Sequence, residues 1–249
     1  MKTVVLKFGG TSVGSIGRIK KVANIIGSYR KKNIGVIVVS SAMSGTTNDL
    51  IKKTRELSNS FDPAENDALL SSGEQVACAL IAGRLKHLGY KARSWMSWQI
   101  PIVTDGPHGS SRITKINKHK ILKYINSGGI PIITGFQGVN SDNRITTLGR
   151  GGTDASAIML AKFFNASACN IYTDVDGVYT TDPRNHSRAK KINKISYDEM
   201  LEMASLGAKV MQPTSVQDAK LNNISFSVKS AFVKKKGTLI TGNKKAFSD

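Results

Sequence analysis

"VVLKFGGTSVGS" (residues 4–15) decides the fold. Val4, Val5, Leu6 and Phe8 form a run too short and too apolar for a surface helix, which predicts a strand buried on both faces. Gly9 and Gly10 end it. Ile16, Ile19, Val22, Ala23, Ile26 and Tyr29 then recur at helical spacing. The same unit returns along the chain. Gly35–Ser40, Ile130–Thr134 and Cys169–Thr173 are further short apolar runs. Leu69, Leu70, Val76, Ala77, Leu80, Ile81 and Leu85 read as a helix, as does Ala155–Phe164 with Thr153 or Asp154 as its cap. Alternating strands and helices predict an α/β sandwich with a mostly parallel central sheet. Ligands of such sheets sit at the carboxyl ends of the strands.

The composition narrows the function classes. A chain of 249 residues can bury a core without staples, and residues 1–249 read as one domain with no linker. No apolar run approaches the ~18 residues of a membrane helix, and "MKTVVLKFGG" lacks the pattern of a signal peptide, so no membrane partner is expected. Cys78 and Cys169 have no metal or redox spacing and read as buried thiols of a reducing, cytoplasmic compartment. The net charge of +19 invites a nucleic-acid reading. Yet 26 of the 36 cationic residues are scattered lysines without interleaved aromatics, so a solvated lysine face is expected and no nucleic-acid partner. Asn185–Lys194 is polar and reads as an exposed loop, and "GNKKAFSD" (242–249) as a frayed tail.

Six stretches carry chemistry. Lys7 lies inside a buried strand, which needs a reason, and the Gly9-Gly10 turn with Thr11 can present backbone N–H groups to phosphates. The turn is neither a Walker A loop nor G-x-G-x-x-G. "VVSSAMSGTTNDL" (38–50) brings Ser41 and Thr47 to a strand end, with Thr46 or Thr47 as the helix cap. In "SSGEQVACALIAGRL" (71–85), Glu74 reads as the first turn of a helix. It is either an acid favoured by the dipole or a carboxylate for a substrate ammonium. "TGFQGVNSDNRITTLGRGGTDASA" (134–157) is a long glycine-rich excursion, and its Arg150 can grip a carboxylate with two hydrogen bonds. "NIYTDVDGVYTTDPR" (170–184) clusters Asp174, Asp176 and Asp182; it is turn chemistry or a nucleotide loop, but not an EF-hand. "LGAKVMQPTSV" (206–216) offers Lys209, weak on its own. No stretch has the spacing of a resident metal site.

Taken in order, "KFGGTSV", "VVSSAMSGTTNDL", "SSGEQVACALIAGRL", "GFQGV", "TTLGRGGTDASA", "YTDVDGVYTTDPR", "LGAKV" and "KGTLI" resemble the catalytic domain of bacterial aspartate kinases over roughly residues 2–242. The resemblance implies the amino acid kinase fold, a three-layer αβα sandwich. It implies ATP as co-substrate with Mg²⁺, L-aspartate as acceptor, and the step that opens the route to lysine, threonine, methionine and diaminopimelate. Lys7 would bridge the transferring phosphoryl group and Asp154 would orient it. Gly9, Gly10, Thr11, Ser41, Thr173, Asp174, Tyr179, Asp182, Arg184 and Lys209 would contact the nucleotide. Thr47, Glu74, Arg150 and Thr153 would bind aspartate. The four histidines fall outside these motifs. Relatives continue into tandem ACT-type regulatory modules, so the expectation is a catalytic unit without them, a homodimer through the kinase domain, and a regulatory subunit, if any, on a separate chain. Lys229 stands where many relatives carry arginine and Gln212 where histidine is common; neither is expected at a catalytic position. The competing readings are a different acceptor on the same fold and a non-catalytic partner subunit.

Overall fold

The computed structural model describes residues 2–242 other than Arg184 and Lys209. The chain opens with strand β1 (Thr3–Phe8), a 3-10 turn (Gly10–Val13), helix α1 (Ile16–Arg30), β2 (Gly35–Ser40), α2 (Thr46–Leu57) and α3 (Pro63–His87). Strands β3 (Ala92–Trp95), β4 (Ile102–Asp105) and β5 (Arg112–Ile116) follow, then α4 (His119–Asn126). β6 (Ile130–Thr134), β7 (Gln137–Val139) and β8 (Ile145–Thr147) lead into α5 (Gly152–Phe163). The remainder is β9 (Ala168–Thr173), β10 (Val178–Tyr179), β11 (Lys191–Ile192), β12 (Lys194–Ser196), α6 (Tyr197–Ser205), α7 (Pro213–Leu221), β13 (Phe226–Ser230) and β14 (Thr238–Thr241).

Among the described residues, the main sheet has eight strands in the order β12-β14-β13-β9-β1-β2-β6-β3. Every neighbouring pair is parallel except β13–β14. Period-two alternation divides each strand between two cores. Val4, Leu6 and Phe8 point to one face, where α1 (Ile19, Val22, Ile26) and α3 (Cys78, Ile81, Leu85) cover them. Val5, with Ile37, Val39 and Ile171, points to the other face, under α4, α5, α6 and α7. This is the expected three-layer αβα sandwich. Each fully buried Ile, Leu or Phe in these cores is worth about 1.5–3 kcal/mol.

A second, four-stranded sheet, β5-β4-β7-β8, stands at the carboxyl ends of β2 and β6. It lies partly inside the 134–157 excursion, which the sequence presented as loop. Its β7–β8 hairpin is only three residues on each side. Gly138 carries no periodic signal because its Cβ would lie 2.3 Å from Thr104 Cγ2, so only glycine fits under β4. The 185–194 segment is likewise not all loop, since Lys191–Ile192 pairs with β10.

β1 lies between β2 and β9, where the chain turns from filling one side of the sheet to the other. That reversal opens a crevice at the carboxyl ends of the three strands. Cys78 and Cys169 are free and buried as expected, and burial pushes the Cys169 thiol up to about 12. No helix among the described residues is long and apolar enough to cross a membrane.

Candidate active site

The crevice is built from β1 outward. Because Lys7 follows Val5 by two residues, its side chain leaves the sheet on the α5 face. The first turn of α5 carries Asp154 to the same place. Lys7 Nζ and Asp154 Oδ1 lie 2.6 Å apart, with their side chains only 9% and 12% exposed. The lysine inside a buried strand therefore has its counter-charge. Gly9 keeps this space open, since a Cβ there would sit 3.2 Å from Lys7 Nζ.

The helix ends around the pair share one chemistry. The 3-10 turn, α2 and α5 start at Gly9, Gly45 and Gly151, and none of these ends has a side-chain cap. Thr46, Thr47, Thr153 and Asp154 were expected to cap; all lie inside their helices instead. Gly45 (φ +89°) and Gly151 (φ +76°) adopt the left-handed conformation, which glycine tolerates best, and so take the capping position. Away from the crevice, Ser15, Asp62 and Ser196 cap α1, α3 and α6 through their side chains. The N–H groups of Ser12, Thr46, Gly152 and Asp154 bond to nearby carbonyls, but the positive dipole ends of these uncapped starts border the crevice, an arrangement that attracts anions. Gly151→Ala is expected to destabilise the chain by roughly 1–3 kcal/mol. Its Cβ would meet Gln212 Cβ at 2.7 Å in a backbone conformation alanine resists. Thermal melting reads the loss, and an unchanged melting temperature would refute this reading of the turn.

Lys7, Gly10, Ser41, Thr47, Glu74, Arg150, Thr153 and Asp154 line one cavity of about 760 Å³. Glu74 is a correction. It lies in the middle of α3, which begins at Pro63 behind the Asp62 cap, not in a first turn. The polar start "PAENDA" hid those opening turns from a search for apolar periodicity. Glu74 is 3% exposed. Its Oε1 accepts the Ala42 N–H at 2.9 Å, and its Oε2 is buried without a protein partner. Burial raises its carboxyl from 4.5 to about 7, against the pull of the Ala42 N–H. Arg150 is exposed on the cavity wall, with no anionic partner among the described residues. The cavity thus offers an unpaired carboxylate oxygen and an unpaired guanidinium beside a buried Lys–Asp pair. Gln212, expected at no catalytic position, is part of the same wall.

The other expected nucleotide residues lie across β1. The Gly9 N–H is not free for a phosphate; it donates to the Tyr172 carbonyl at 3.1 Å. Thr11 accepts from Arg18 Nη1 through its carbonyl. Thr173 Oγ1 donates to Asp174 Oδ1, and the Tyr179 hydroxyl to Asp176 Oδ1. Asp176 faces Lys191 and Lys235 at 3.7 and 3.6 Å. Burial raises its carboxyl, but the Tyr179 hydroxyl and the two ammonium groups outweigh this and leave it lowered. Asp182 accepts the N–H groups of Asn185 and His186 through its carbonyl. None of Gly9, Thr11, Thr173, Asp174, Tyr179 and Asp182 lines the 760 Å³ cavity. Arg184 and Lys209 fall outside the described residues.

No group of three or more His, Cys, Asp or Glu side chains among the described residues could hold a metal. The carboxylates on the cavity wall are Glu74 and Asp154. That donor set fits a cation arriving on nucleotide phosphates, not one the protein keeps.

Residues 2–230 match the Amino acid kinase family. The chain is 48% identical over 240 residues to an aspartokinase of Geobacillus stearothermophilus, covering 96% of this chain and 59% of that one. Among solved structures, aspartate kinase from Synechocystis superposes with a TM-score of 0.85 at 37% identity, over 97% of this chain and 40% of that one. Escherichia coli aspartokinase III in complex with aspartate and ADP gives a TM-score of 0.85 at 29% identity, over 98% of this chain and 65% of that one. The chain spans about three-fifths of the length of the curated relatives it matches.

Proposed function

The chain belongs to the Amino acid kinase family, and from that premise we propose that it is an aspartate kinase, transferring the γ-phosphoryl group of ATP to the β-carboxylate of L-aspartate. The observation that carries this reading is the sharing of one cavity by the Lys7–Asp154 pair, the orphaned oxygen of Glu74 and the unpaired Arg150. A zwitterionic acceptor fits: Arg150 takes the α-carboxylate by two parallel hydrogen bonds, and Glu74 takes the α-ammonium. Thr47 and Thr153 supply hydroxyls on the same walls. The 48% identical aspartokinase and the aspartate-bound relative support the choice of acceptor.

The chemistry asks for positioning more than for bases. The acceptor β-carboxylate has an ordinary pKa of ~3.9 and is ionised at neutral pH, so nothing need deprotonate it. Its oxygen attacks the γ-phosphorus and ADP leaves, giving 4-phospho-L-aspartate. Lys7 neutralises charge spreading over the transferring oxygens, and Asp154 fixes the ammonium of Lys7 in place. The open N–H groups of the 3-10 turn and α2, with Ser41, cradle phosphate oxygens. Thr173, Asp174, Tyr179 and Asp182 serve the nucleotide beyond β1, and the resemblance adds Arg184 and Lys209 to that role. Mg²⁺, held by the phosphates with Asp154 as the carboxylate within reach, would supply further charge neutralisation.

The test is hydroxamate formation from Mg-ATP and L-aspartate, run beside a panel of other amino acids, carbamate and nucleoside monophosphates. Absence of a trappable acyl phosphate from aspartate ends this reading. Arg150→Ala is expected to raise the aspartate KM roughly 10- to 100-fold, the value of a charge-assisted bidentate contact, and to leave the ATP KM alone. An unchanged aspartate dependence would show that Arg150 does not hold the acceptor.

A further inference from the structure

Asp67 belongs to none of the chemistry above, yet it is fully buried and accepts four hydrogen bonds. Oδ1 accepts from Thr147 Oγ1 at 2.5 Å. Oδ2 accepts from Thr147 N at 2.9 Å, from Gly109 N at 3.0 Å and from His108 Nδ1 at 2.7 Å. These donors come from two separate segments. Thr147 ends β8, and Leu148-Gly149 alone separate it from Arg150. Gly109 belongs to the turn that supports this stretch: a Cβ on Gly149 would lie 2.9 Å from the Gly109 carbonyl, and the Ser111 N–H donates to the Thr147 carbonyl at 3.0 Å. One carboxylate therefore ties down both layers beneath Arg150.

Asp67 and Glu74 also share a rigid body. Both lie on α3, seven residues apart, which is two turns on one helix face and roughly 10 Å along the axis. Leu70, between them on that face, lines the cavity. The carboxylate facing the acceptor's ammonium and the anchor of the loop facing its α-carboxylate are thus referenced to a single helix. We infer that Asp67 is a positioning residue that sets the distance between Arg150 and Glu74, and so the acceptor's fit, without touching the acceptor. This deepens the aspartate kinase reading and rests on it for the identity of the acceptor.

Two measurements test it. The first is the KM split of Asp67→Ala, Asp67→Asn and Thr147→Val, read on whichever acceptor the wild-type chain uses. Asp67→Ala is expected to raise the acceptor KM at least tenfold and leave the ATP KM within twofold. Asp67→Asn should stay within threefold of wild type, because its amide oxygen can still accept from Thr147, Gly109 and His108 while its NH₂ donates to the Thr147 hydroxyl. Thr147→Val removes one donor at nearly constant shape and carries the test if Asp67→Ala does not fold. An acceptor KM left within twofold in folded Asp67→Ala or Thr147→Val, or both KM values rising together, overturns the inference. The second measurement is deuterium exchange over residues 106–111 and 147–151, which needs no turnover. Exchange there should speed at least tenfold in Asp67→Ala or Thr147→Val with α1 unchanged, and unaltered exchange overturns the inference. A wild-type chain that phosphorylates no aspartate would sink the proposed function, yet the exchange result would still decide the role of Asp67.

Discussion

Replacing Lys7 by alanine is expected to lower turnover by about 10³-fold or more, with a much smaller effect on folding. The pair it breaks is short and mostly buried. Removing one member of a sealed ion pair costs about 3–5 kcal/mol, because the survivor is left charged in a poor dielectric. This pair borders an open cavity of about 760 Å³, so water can reach the abandoned Asp154 and the loss should fall below that range. Turnover has no such relief. A fixed cation at the transferring phosphoryl group is worth roughly 10³–10⁵ in related chemistry, and water in its place must reorganise during the reaction. The double variant Lys7→Met/Asp154→Asn separates the two effects. It should regain most of the lost stability in a denaturant titration and none of the lost turnover. Recovery of activity in the double variant would mean that the pair is structural and the catalytic cation lies elsewhere.

Glu74→Gln is expected to make the ligand-free chain more stable at pH 8 and a far poorer enzyme. Burial raises the Glu74 carboxyl from 4.5 to about 7. A group whose folded pKa lies above its unfolded value gives stability that is complete below about 4.5 and fades as pH rises through about 7. At about 1.4 kcal/mol for each tenfold, the ionised side chain costs the empty site roughly 3 kcal/mol above pH 7. Glutamine keeps an oxygen for the Ala42 N–H and carries no charge. Its melting temperature should exceed that of the wild type by several degrees at pH 8, with the gap closing toward pH 5. The acceptor KM should rise roughly 100-fold, since a neutral amide replaces the ion that meets the ammonium. Calorimetry gives an independent reading. Aspartate binding at pH 7 should release about half a proton from the wild-type chain and none from the variant. Equal proton release from both would place the ammonium elsewhere.

The parts of this molecule that were legible in the sequence were those whose signal is local. β1, β2, β6 and β9 are nearly all-apolar runs because both faces of a central parallel strand are covered, and α1 shows its stripe because only one face is. Lys7 betrayed itself as a charge in such a run. What escaped depended on distance or on absence. Asp67 meets Thr147 across 80 residues of chain, and no spacing announces that encounter. Gln212 gives no local sign that it reaches the cavity wall. Thr46, Thr47, Thr153 and Asp154 were read as caps because hydroxyls and acids usually cap, but a glycine in the left-handed region took that place at two site-facing helix starts. The β7–β8 hairpin was hidden by its length and by a glycine required for close approach. The acidic stretch from Thr173 to Asp182 is legible as turn chemistry or a nucleotide loop after a strand, and the resemblance supplies the individual contacts; none of Thr173, Asp174, Tyr179 and Asp182 lines the 760 Å³ cavity.

The small β5-β4-β7-β8 sheet gives the molecule a division of inheritance. Lys7 and Asp154 stand on the main sandwich, on a central strand and the helix that covers it. Arg150 follows the last strand of the small sheet, and Phe136, Thr147 and Gly149 bring the same element into the cavity wall. On the proposed function, mutations there can alter how Arg150 meets the acceptor while the Lys7–Asp154 pair keeps its geometry. A lineage could therefore retune the grip on one end of its acceptor in small steps, while the other end, met by Glu74 on α3, stays tied to the sandwich.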